Sequence, residues 1–338
     1  MFTAMFGSVE SGIIYAIMAL GVYLSFRILD FPDLTVDGSF VTGAAVAAIM
    51  IVNGSNPFVA TLVALGAGFI AGCITGILHT IGKINSLLSG ILMMIALYSI
   101  NLRIMGKSNV PLLNQDTSFT LVTDFWEGLG IDEVLNNGLA LIGLGDSAPS
   151  TWSILFFMIL ITLLIKFLTD RFLKTEIGLA VRATGDNKRM IRSLSANTNL
   201  LVILGLGLSN AMVAFSGALI AQYGSFADVG MGIGMIIIGL ASVIIGEALF
   251  GTKTIARTTL AVIGGAIIYR IVVSLALRVE FLETGDMKMI TAAIVILALI
   301  MPRIIDRQKE KKRRKLKQQE RMLEIPVDGK DDQSAAAK

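Results

Sequence analysis

The stretch LDFPDLTVDGSFVTGAA, residues 29–45, interrupts an otherwise apolar part of the chain. The residues that break the apolar pattern are Asp30, Pro32, Asp33, Asp37 and Gly38. A broken helix leaves backbone groups without partners, and within a bilayer only protein or a water-filled path can satisfy them. The stretch therefore predicts one of two things. It is a break that lines a pathway, a turn in which Asp37 or Ser39 caps the next helix, or both at once.

The composition is that of a membrane protein. Of 338 residues, 54% are hydrophobic and 16% are charged, whereas soluble domains carry about 25% charged residues. Many apolar runs approach the roughly 20 residues that a helix needs to cross a bilayer, and closed barrels would show shorter alternating strands. We therefore predict an all-α polytopic membrane protein with about nine transmembrane helices, within a range of eight to ten. The runs are Ser11–Phe26, Phe40–Val52, Phe58–Ile81, Ile84–Leu102, Trp152–Leu168, Leu200–Tyr223, Met235–Phe250, Thr258–Leu277 and Met289–Ile300.

Lys and Arg in the connecting segments predict the orientation, because cytoplasmic loops carry an excess of both. Residues 170–199 and the tail after Pro302 are rich in bases and are expected in the cytoplasm. The segment from Met105 to Ser150 has Lys107 as its only base and six acids, so it is expected outside. Nine spans satisfy these constraints with an external N-terminus and a cytoplasmic C-terminus. We expect the chain in the bacterial plasma membrane, in contact with lipid.

Two segments resemble each other. FPDLTVDGS, beginning at Phe31, aligns with FADVGMGIG, beginning at Phe226, and an apolar run precedes and follows each copy. In the predicted threading the two copies lie toward opposite faces of the membrane. Because inverted repeats with broken helices are typical of transporters, the sequence predicts two inverted-topology repeats of four spans joined by one linking span.

The domain organisation follows from these assignments. A transmembrane domain is expected over residues 1–302 and a basic cytoplasmic tail over residues 303–338. The domain divides into repeat one at about 7–104, an external segment at 105–150, a linking helix at 151–169, a cytoplasmic loop at 170–199 and repeat two at about 200–302.

Several motifs resemble the ribose/branched-chain amino acid permease family of ABC importers. DLTVDGS (33–39) is similar to a signature of the first half. EIGLAVRATGDNKRMIRSLSANT (176–198) is similar to the cytoplasmic loop, and SGALIAQYGSFADVGMGIGM with IIGEALFGTKT to the second half. The ending IIYRIVVSLALR, followed by DMKMITAAIVILAL, resembles a subgroup of tryptophan/tyrosine-type permeases. The resemblance spans about residues 7–302. It departs at Lys188, where proline is usual, and at Ala196, where glycine is usual.

The resemblance implies partners. It predicts cytoplasmic ATP-binding subunits, an external substrate-binding protein and a second permease copy in a homodimer, or a close relative in its place. ATP and Mg would be bound by the ATPase, and no nucleic-acid partner is expected. The cytoplasmic loop is predicted to form two short helices, TEIGLAVRA and NKRMIRSLS, hinged at TGD, that contact the ATPase. The coupling residues would be Gly178, Arg182, Ala183, Gly185, Asp186, Asn187 and Lys188.

The chain itself shows no site for a cofactor, a metal or covalent chemistry. GEALFGTKT, beginning at Gly246, is the nearest approach to a phosphate-binding loop, but its spacing is wrong and it ends a membrane span instead of a strand. Cys73 and His79 are single residues of their kinds, so neither a disulfide within the chain nor a Cys-based metal site is expected.

Candidate residues of a substrate pathway are the polar groups of the two repeated segments and one buried base: Asp33, Thr35, Asp37, Ser39, Asp228 and Arg270. Arg270 lies near the middle of a span, where an arginine costs about 2.5–3.5 kcal/mol on insertion scales. Two roles are open for it: an ion pair with Glu247, Asp228, Asp33 or Asp37, or a contact to a substrate carboxylate.

Glycines repeat every fourth residue at Gly68, Gly72 and Gly76, which allows close helix packing. This face would pack either within one subunit or at the seam between two copies.

The expected function is the membrane-spanning subunit of an ATP-driven importer, which is a transport subunit and not an enzyme. It would pass a small solute, an amino acid and perhaps an aromatic one, from the external binding protein to the cytoplasm. A sugar or nucleoside permease is one alternative. An ion-coupled secondary transporter using Asp33, Asp37 and Asp228 is another, although it leaves the two-helix loop unexplained.

Overall fold

Long apolar helices dominate the computed structural model, which describes residues 2–141 and 149–276 together with residues 289, 292–294, 296, 297, 300 and 310. Within this described part, seven helices are long and apolar enough to span a membrane, and the 16-residue helix Met235–Phe250 is a shorter apolar one. The predicted all-α polytopic class is confirmed. The ninth predicted run, Met289–Ile300, lies largely outside the described residues, so the count of nine stays a prediction.

The elements follow one another along the chain with one short two-stranded sheet. Helix α1 is Phe2–Val22 and continues as a π-helical segment, Tyr23–Ile28. The others are α2 (Thr35–Val52), α3 (Pro57–Thr80), α4 (Ser86–Met105), β1 (Asn109–Pro111), α5 (Ser118–Glu127), α6 (Ile131–Leu141), α7 (Ser153–Lys174), α8 (Glu176–Asp186), α9 (Lys188–Ser193), α10 (Thr198–Gly224), β2 (Phe226–Asp228), α11 (Met235–Phe250) and α12 (Ile255–Ala276).

Local sequence explains several helix ends. The Asn56 side chain accepts from the N–H of Phe58, and Pro57 begins α3 where its missing N–H costs nothing. Asn85 begins α4 in the same way, and Gly106 ends it in the left-handed conformation. Asparagine and glycine therefore mark the ends of spans whose interiors are almost wholly apolar.

Two predicted boundaries are wrong. Helix α2 begins at Thr35 and not near Phe40, because Thr35 to Ser39 form its first turn despite their polarity. Helix α7 continues to Lys174 instead of ending near 168, so the segment between α7 and α10 is shorter than the predicted loop 170–199. Asp170 explains this second difference, since it is buried in α7 and accepts from Lys166 and from Thr259 of α12.

The first helix of each predicted repeat packs against helices of the other repeat. Helix α1 packs against α11 and α12, α10 packs against α2 and α3, and α1 and α10 contact each other. This exchange is what two related halves would produce around a shared axis. Their inverted topology stays a prediction.

The glycine face of α3 packs within the subunit. A Cβ added at Gly68, Gly72 or Gly76 would overlap residues of α10, namely Asn210, Leu206 and Ile203 respectively. Because glycine has no side chain, the two helix backbones can approach closely. Of the two arrangements expected for these glycines, the structure therefore places them at the α3–α10 contact.

The base-rich and acid-rich segments lie at opposite ends of α10. Helices α8 and α9 immediately precede α10, whose 27 residues span about 40 Å. At its far end β2 pairs antiparallel with β1 of the acid-rich segment, with Asn109 opposite Asp228. This separation agrees with the predicted threading, while the side of the membrane that each end faces stays a prediction. The predicted tail lies outside the described residues except for residue 310.

Candidate functional site

The segment Leu29–Leu34, called the first break here, joins α1 to α2 as a buried turn. Asp33 is fully buried, and its Oδ1 accepts from the N–H of Thr35 at 3.0 Å. Its Oδ2 accepts from Asn210 Nδ2 of α10 at 2.6 Å. Burial raises the pKa of the Asp33 carboxyl, and the hydrogen bonds from Thr35 and Asn210 offset only part of this rise. Asp33 therefore accepts from the first N–H of α2, whereas Asp37 and Ser39, which one interpretation of the sequence expects as caps, lie inside the helix.

Asp37 joins the two predicted repeats. It lies in the first turn of α2, but its Oδ2 accepts from the N–H of Gly234 at 2.9 Å and its Oδ1 from the N–H of Ile236 at 2.8 Å. These N–H groups form the beginning of α11, where the helix dipole favours a negative charge. A single carboxylate therefore ties the N-terminal ends of α2 and α11 together.

The segment Val229–Gly234, called the second break here, leads from β2 to α11. Asp228 Oδ1 accepts from the N–H of Gly230 at 2.7 Å, as Asp33 does from Thr35. Gly234 has φ +88°, a conformation that favours glycine, and a Cβ at Gly232 would overlap the Asp37 carbonyl oxygen. The two aligned segments thus share the same local turn, and the glycines let the second one approach α2 closely.

A cavity of about 430 Å³ opens beside Asp37, between α2, α4 and the second break. Its size is within the range of small-molecule sites. The wall is mainly apolar, with a few polar side chains. The lining residues are Asp37, Gly38, Val41, Met94, Ile95, Tyr98, Ser99, Asn101, Val229, Gly232 and Ile233.

Only one of the six predicted pathway residues lines this cavity, namely Asp37. Thr35 and Ser39 are fully buried, and Thr35 shares a 2.8 Å hydrogen bond with Thr75 of α3. Asp228 lies at the edge of the second break. The polar residues of the first half are thus divided between a structural contact with α3 and α10 and a surface that faces the cavity.

Arg270 has different partners from those expected. Glu247 pairs with Arg27 at 3.0 Å, and within the described residues Arg270 forms no ion pair with any of the four acids proposed for it. Its Nε donates to Ser11 Oγ at 3.2 Å, and its guanidinium carbon lies 4.7 Å from the centre of the Tyr15 ring. The expected ion pair is therefore wrong. Hydroxyl and aromatic groups of α1 satisfy the cation instead.

Helices α8 and α9 form the predicted two-helix segment, but the hinge differs. Helix α8 runs through Thr184, Gly185 and Asp186, so the chain turns at Asn187, whose side chain caps α9 by accepting from Met190 N–H at 3.1 Å. The hinge prediction at TGD is wrong because the asparagine supplies the cap that starts a new helix.

The predicted coupling residues fall into two groups. A Cβ at Gly178 would overlap the carbonyl oxygen of Phe172, and one at Gly185 would overlap that of Ile28, so both glycines pack inward. The others are exposed or partly exposed: Arg182, Ala183, Asp186, Asn187 and Lys188. Ile177, Leu179 and Leu194 add exposed apolar surface, at 53%, 59% and 69% exposure.

The same two helices contact the first break. Leu29 and Phe31 form one buried cluster with Val181 of α8 and Ile191 of α9. Gly185 rests on the end of the π-helical segment at Ile28. A displacement of α8 therefore acts directly on the turn that positions Asp33 and, four residues later, Asp37.

The cavity residues on α4 were not among the predicted pathway residues. Asn101 is buried; its Nδ2 donates to the Gly38 carbonyl at 3.1 Å and its Oδ1 accepts from Thr42 Oγ1 at 2.9 Å. A buried amide inside a span is a signal for such a position. Tyr98 and Ile95 carry no comparable signal, since exposed apolar residues on a span are ordinary.

Comparison with known proteins assigns the family. The family model described as "Branched-chain amino acid transport system / permease component" matches residues 4–300. A "Tyrosine transport system permease protein" of Clostridioides difficile is 44% identical over 284 residues, covering 84% of this chain and 86% of the relative. An uncharacterized protein of Rickettsia prowazekii is 33% identical, covering 86% and 95% of the two chains. A "Galactofuranose transporter permease protein" of Escherichia coli is 27% identical, covering 80% and 70%.

No solved structure matches the chain. The family match covers nearly all of the described helices, and the most apolar of them are the spans expected of a multi-pass membrane protein. The chain belongs to the permease family of branched-chain amino acid transport systems, the ABC-type family that its sequence motifs resemble.

Proposed function

We propose that this chain is the membrane-spanning subunit of an ATP-driven importer that passes an amino acid, with an aromatic one favoured, into the cytoplasm. A separate ATPase binds ATP and Mg, an external binding protein delivers the solute, and a second copy of the chain completes the permease. The chain lies in the bacterial plasma membrane with its C-terminus in the cytoplasm.

The observation that carries the proposal is the continuous contact from α8 and α9 to the cavity. Gly185 and Val181 pack against the first break. This break positions Asp33 against α10 and leads into the first turn of α2. There Asp37 holds the start of α11 beside the cavity. A rigid-body motion of an ATPase against α8 would reach the cavity wall through this chain of contacts.

An aromatic amino acid suits the cavity. Tyr98, Met94 and Ile95 provide a surface for a ring, while Asp37 and Ser99 place polar groups on the same wall for the amino acid backbone. The printed name of the 44% identical relative supports this substrate class. The galactofuranose permease supports a sugar as the second candidate, and for a sugar the same polar groups would bind hydroxyls.

Reconstitution tests the proposal. The chain is placed in proteoliposomes with its ATPase and binding protein, and uptake of radiolabelled tyrosine is measured with and without ATP. We expect ATP-dependent uptake that unlabelled tryptophan or phenylalanine reduces and that sugars do not. Competition by ribose or galactofuranose alone would favour the sugar candidate. Uptake driven by an ion gradient without the ATPase would contradict the proposal.

A matched pair of variants tests the contact path. Gly185→Ala places a methyl group against the Ile28 carbonyl, whereas Glu176→Ala removes only an exposed side chain of α8 that is not a predicted coupling residue. We expect Gly185→Ala to reduce uptake per ATP hydrolysed severalfold and Glu176→Ala to change it less. An equal effect of both would show that the contact with the first break is not the route.

A further inference from the structure

A second cavity lies at the end of the helices that the charge distribution predicts to be cytoplasmic. It has a volume of about 440 Å³ and is formed by the turn between α3 and α4, by α9 and by the start of α10. In contrast to the cavity beside Asp37, its wall is strongly basic. The side chains that matter here are His79, Lys83, Lys188, Arg192, Thr198 and Asn199.

The bases of this wall lack acidic partners. The ion pairs of the described residues are Arg27–Glu247 and Lys166–Asp170, so Lys83, Lys188 and Arg192 stand without a paired carboxylate there. Arg192 Nε donates to Thr198 Oγ1 at 3.0 Å, which holds the guanidinium at the cavity wall and leaves its two Nη groups available. Three cations from two separate segments therefore converge on one space, which favours an anion.

Exposed apolar residues lie close to the lining residues in the chain. Ile81 follows Thr80, Leu200 follows Asn199 and Leu87 lies two residues after Asn85, and they are 68%, 53% and 47% exposed. Helices α3 and α4 continue this exposed apolar surface along the spans, for example at Ile77 and Leu88. Basic groups next to a membrane-facing apolar surface match an amphiphile with an anionic head and hydrocarbon chains, since a free anion gains nothing from the apolar border.

We propose that this cavity binds the phosphate headgroup of an anionic phospholipid, with Lys83, Lys188 and Arg192 as its cationic partners and the acyl chains along α3 and α4. The site goes beyond the transport function and does not depend on the solute carried. It rests on the predicted orientation, which places the cavity at the leaflet where basic residues collect.

A bound lipid would connect the α3–α4 turn to two parts of the proposed coupling path, α9 and the first break. Lys83 belongs to the α3–α4 turn and Lys188 begins α9. His79 of the same cavity donates from Nδ1 to the Ile84 carbonyl at 2.9 Å and packs edge-on against Phe31 of the first break, with ring centres 5.1 Å apart. The lipid would thus hold the turn and α9 in a fixed relation at the base of the first break.

Native mass spectrometry of the full chain tests the proposal. The protein is released from bilayers of phosphatidylglycerol and phosphatidylcholine, and the retained lipids are counted. We expect the wild type to retain phosphatidylglycerol and the double variant Lys83→Gln/Lys188→Gln to bind it about tenfold or more weakly. The control Lys174→Gln/Arg189→Gln removes the same charge from exposed positions outside the cavity and should bind as the wild type does.

Three outcomes would overturn the proposal. The first is equal loss of lipid in the cavity variant and the control, which would mean that the binding responds only to net charge. The second is displacement of the lipid by millimolar inorganic phosphate, which would make the cavity a site for a free anion. The third is loss of the lipid from the wild type on addition of the ATPase, which would mean that acidic side chains of that partner fill it.

Folding defects do not affect this test. Lys83 is exposed in the turn, and its side chain forms no hydrogen bond among the described contacts, so its replacement leaves no other residue without a partner. The single variant Lys83→Gln therefore serves if the double variant melts early, and a retention of phosphatidylglycerol equal to that of the wild type would equally overturn the proposal.

Discussion

The first break and the start of the second break share one local hydrogen bond in different surroundings. Asp33 and Asp228 each accept a hydrogen bond from the N–H two residues further on. Asp33 is fully buried, with a second partner on α10, whereas Asp228 is partly exposed. The first break packs on α8 and α9, and the second lines the cavity. Related sequences therefore occupy two different settings, one packed against α8 and α9 and one open to the cavity.

The difference also shows in the residues that fill each break. The first is sealed by Leu29 and Phe31, which are almost completely buried. The second carries glycines at 230, 232 and 234, and its Ile233 is 61% exposed. A sealed turn transmits force as a rigid body, while a glycine-rich one can change its backbone angles at low cost. The second break is the part expected to move when the cavity opens.

The largest effect is expected at the contact that joins the two breaks. Asp37→Ala leaves the N–H groups of Gly234 and Ile236 without their acceptor, and each unsatisfied group costs about 1–3 kcal/mol. We expect a loss of roughly 2–4 kcal/mol in unfolding free energy together with loss of uptake. Denaturant unfolding and the proteoliposome assay measure these. Asp37→Asn keeps one acceptor oxygen and should lie between Ala and wild type.

The next effect compares the two equivalent acids. Asp33→Ala removes an acceptor from two buried donors and should lower the unfolding free energy by about 2–3 kcal/mol. Asp228→Ala removes one cap at a partly exposed site and should cost about 1 kcal/mol or less. Equal losses in denaturant unfolding would contradict the difference drawn between the breaks.

Replacing Asp33 by asparagine tests whether the charge of this side chain is needed at the first break. Because burial disfavours the charged form of Asp33, Asp33→Asn should cost less than Asp33→Ala. The Oδ1 of Asn210 has no hydrogen-bond partner among the described residues, so its amide can rotate to accept from the new side chain. If the asparagine variant unfolded as early as the alanine variant, the charge itself would be required.

A smaller effect is expected from glycines within the second break. Gly232→Ala brings a methyl group onto the Asp37 carbonyl and the Val41 side chain, and overpacking of this kind costs roughly 1–3 kcal/mol. Gly230→Ala meets only Asp228 Oδ1 at 3.1 Å, a contact that a small side-chain shift relieves. Thermal melting of the two variants in detergent should rank Gly232→Ala as the less stable.

The smallest effect on stability is expected at the cavity wall opposite the second break. Tyr98 is 52% exposed, so Tyr98→Ala should change the unfolding free energy by no more than about 0.5 kcal/mol. We expect the KM for tyrosine uptake to rise severalfold, because the ring surface for the solute is lost. Leu113→Ala, at an exposed position outside the cavity, is the control and should leave KM unchanged.

The sequence predicts much of the fold because hydropathy controls it. Each of the eight apolar runs that lie within the described residues corresponds to a helix, and the two-helix segment before α10 is expected from its pattern. The pattern misplaces the boundaries of α2 and α7 because Thr35, Asp37 and Asp170 are polar but satisfied by tertiary contacts. Local pattern cannot show that a polar residue has a partner on a distant helix.

The site was predicted less well for the same reason. Asp37 and Ile236 are separated by 199 residues in the chain, and nothing in either segment indicates the pairing. Arg270 was expected to need a carboxylate because acids are the usual partners of a buried base, yet Ser11 and Tyr15 of α1 satisfy it. Gly178 and Gly185 are coupling residues by the motif, which stays a prediction, and they face the membrane domain instead of its surface.

The ladder between β1 and β2 has a mechanical consequence. Three residue pairs connect the strand that follows α4 to the strand that follows α10, so the tips of these two helices are stapled to each other. They cannot separate unless the ladder breaks, whereas a rocking movement keeps its hydrogen bonds intact. The ladder therefore fixes the distance between the ends of α4 and α10 at the sheet. The opposite ends of these two helices can move apart only if the helices tilt about the sheet.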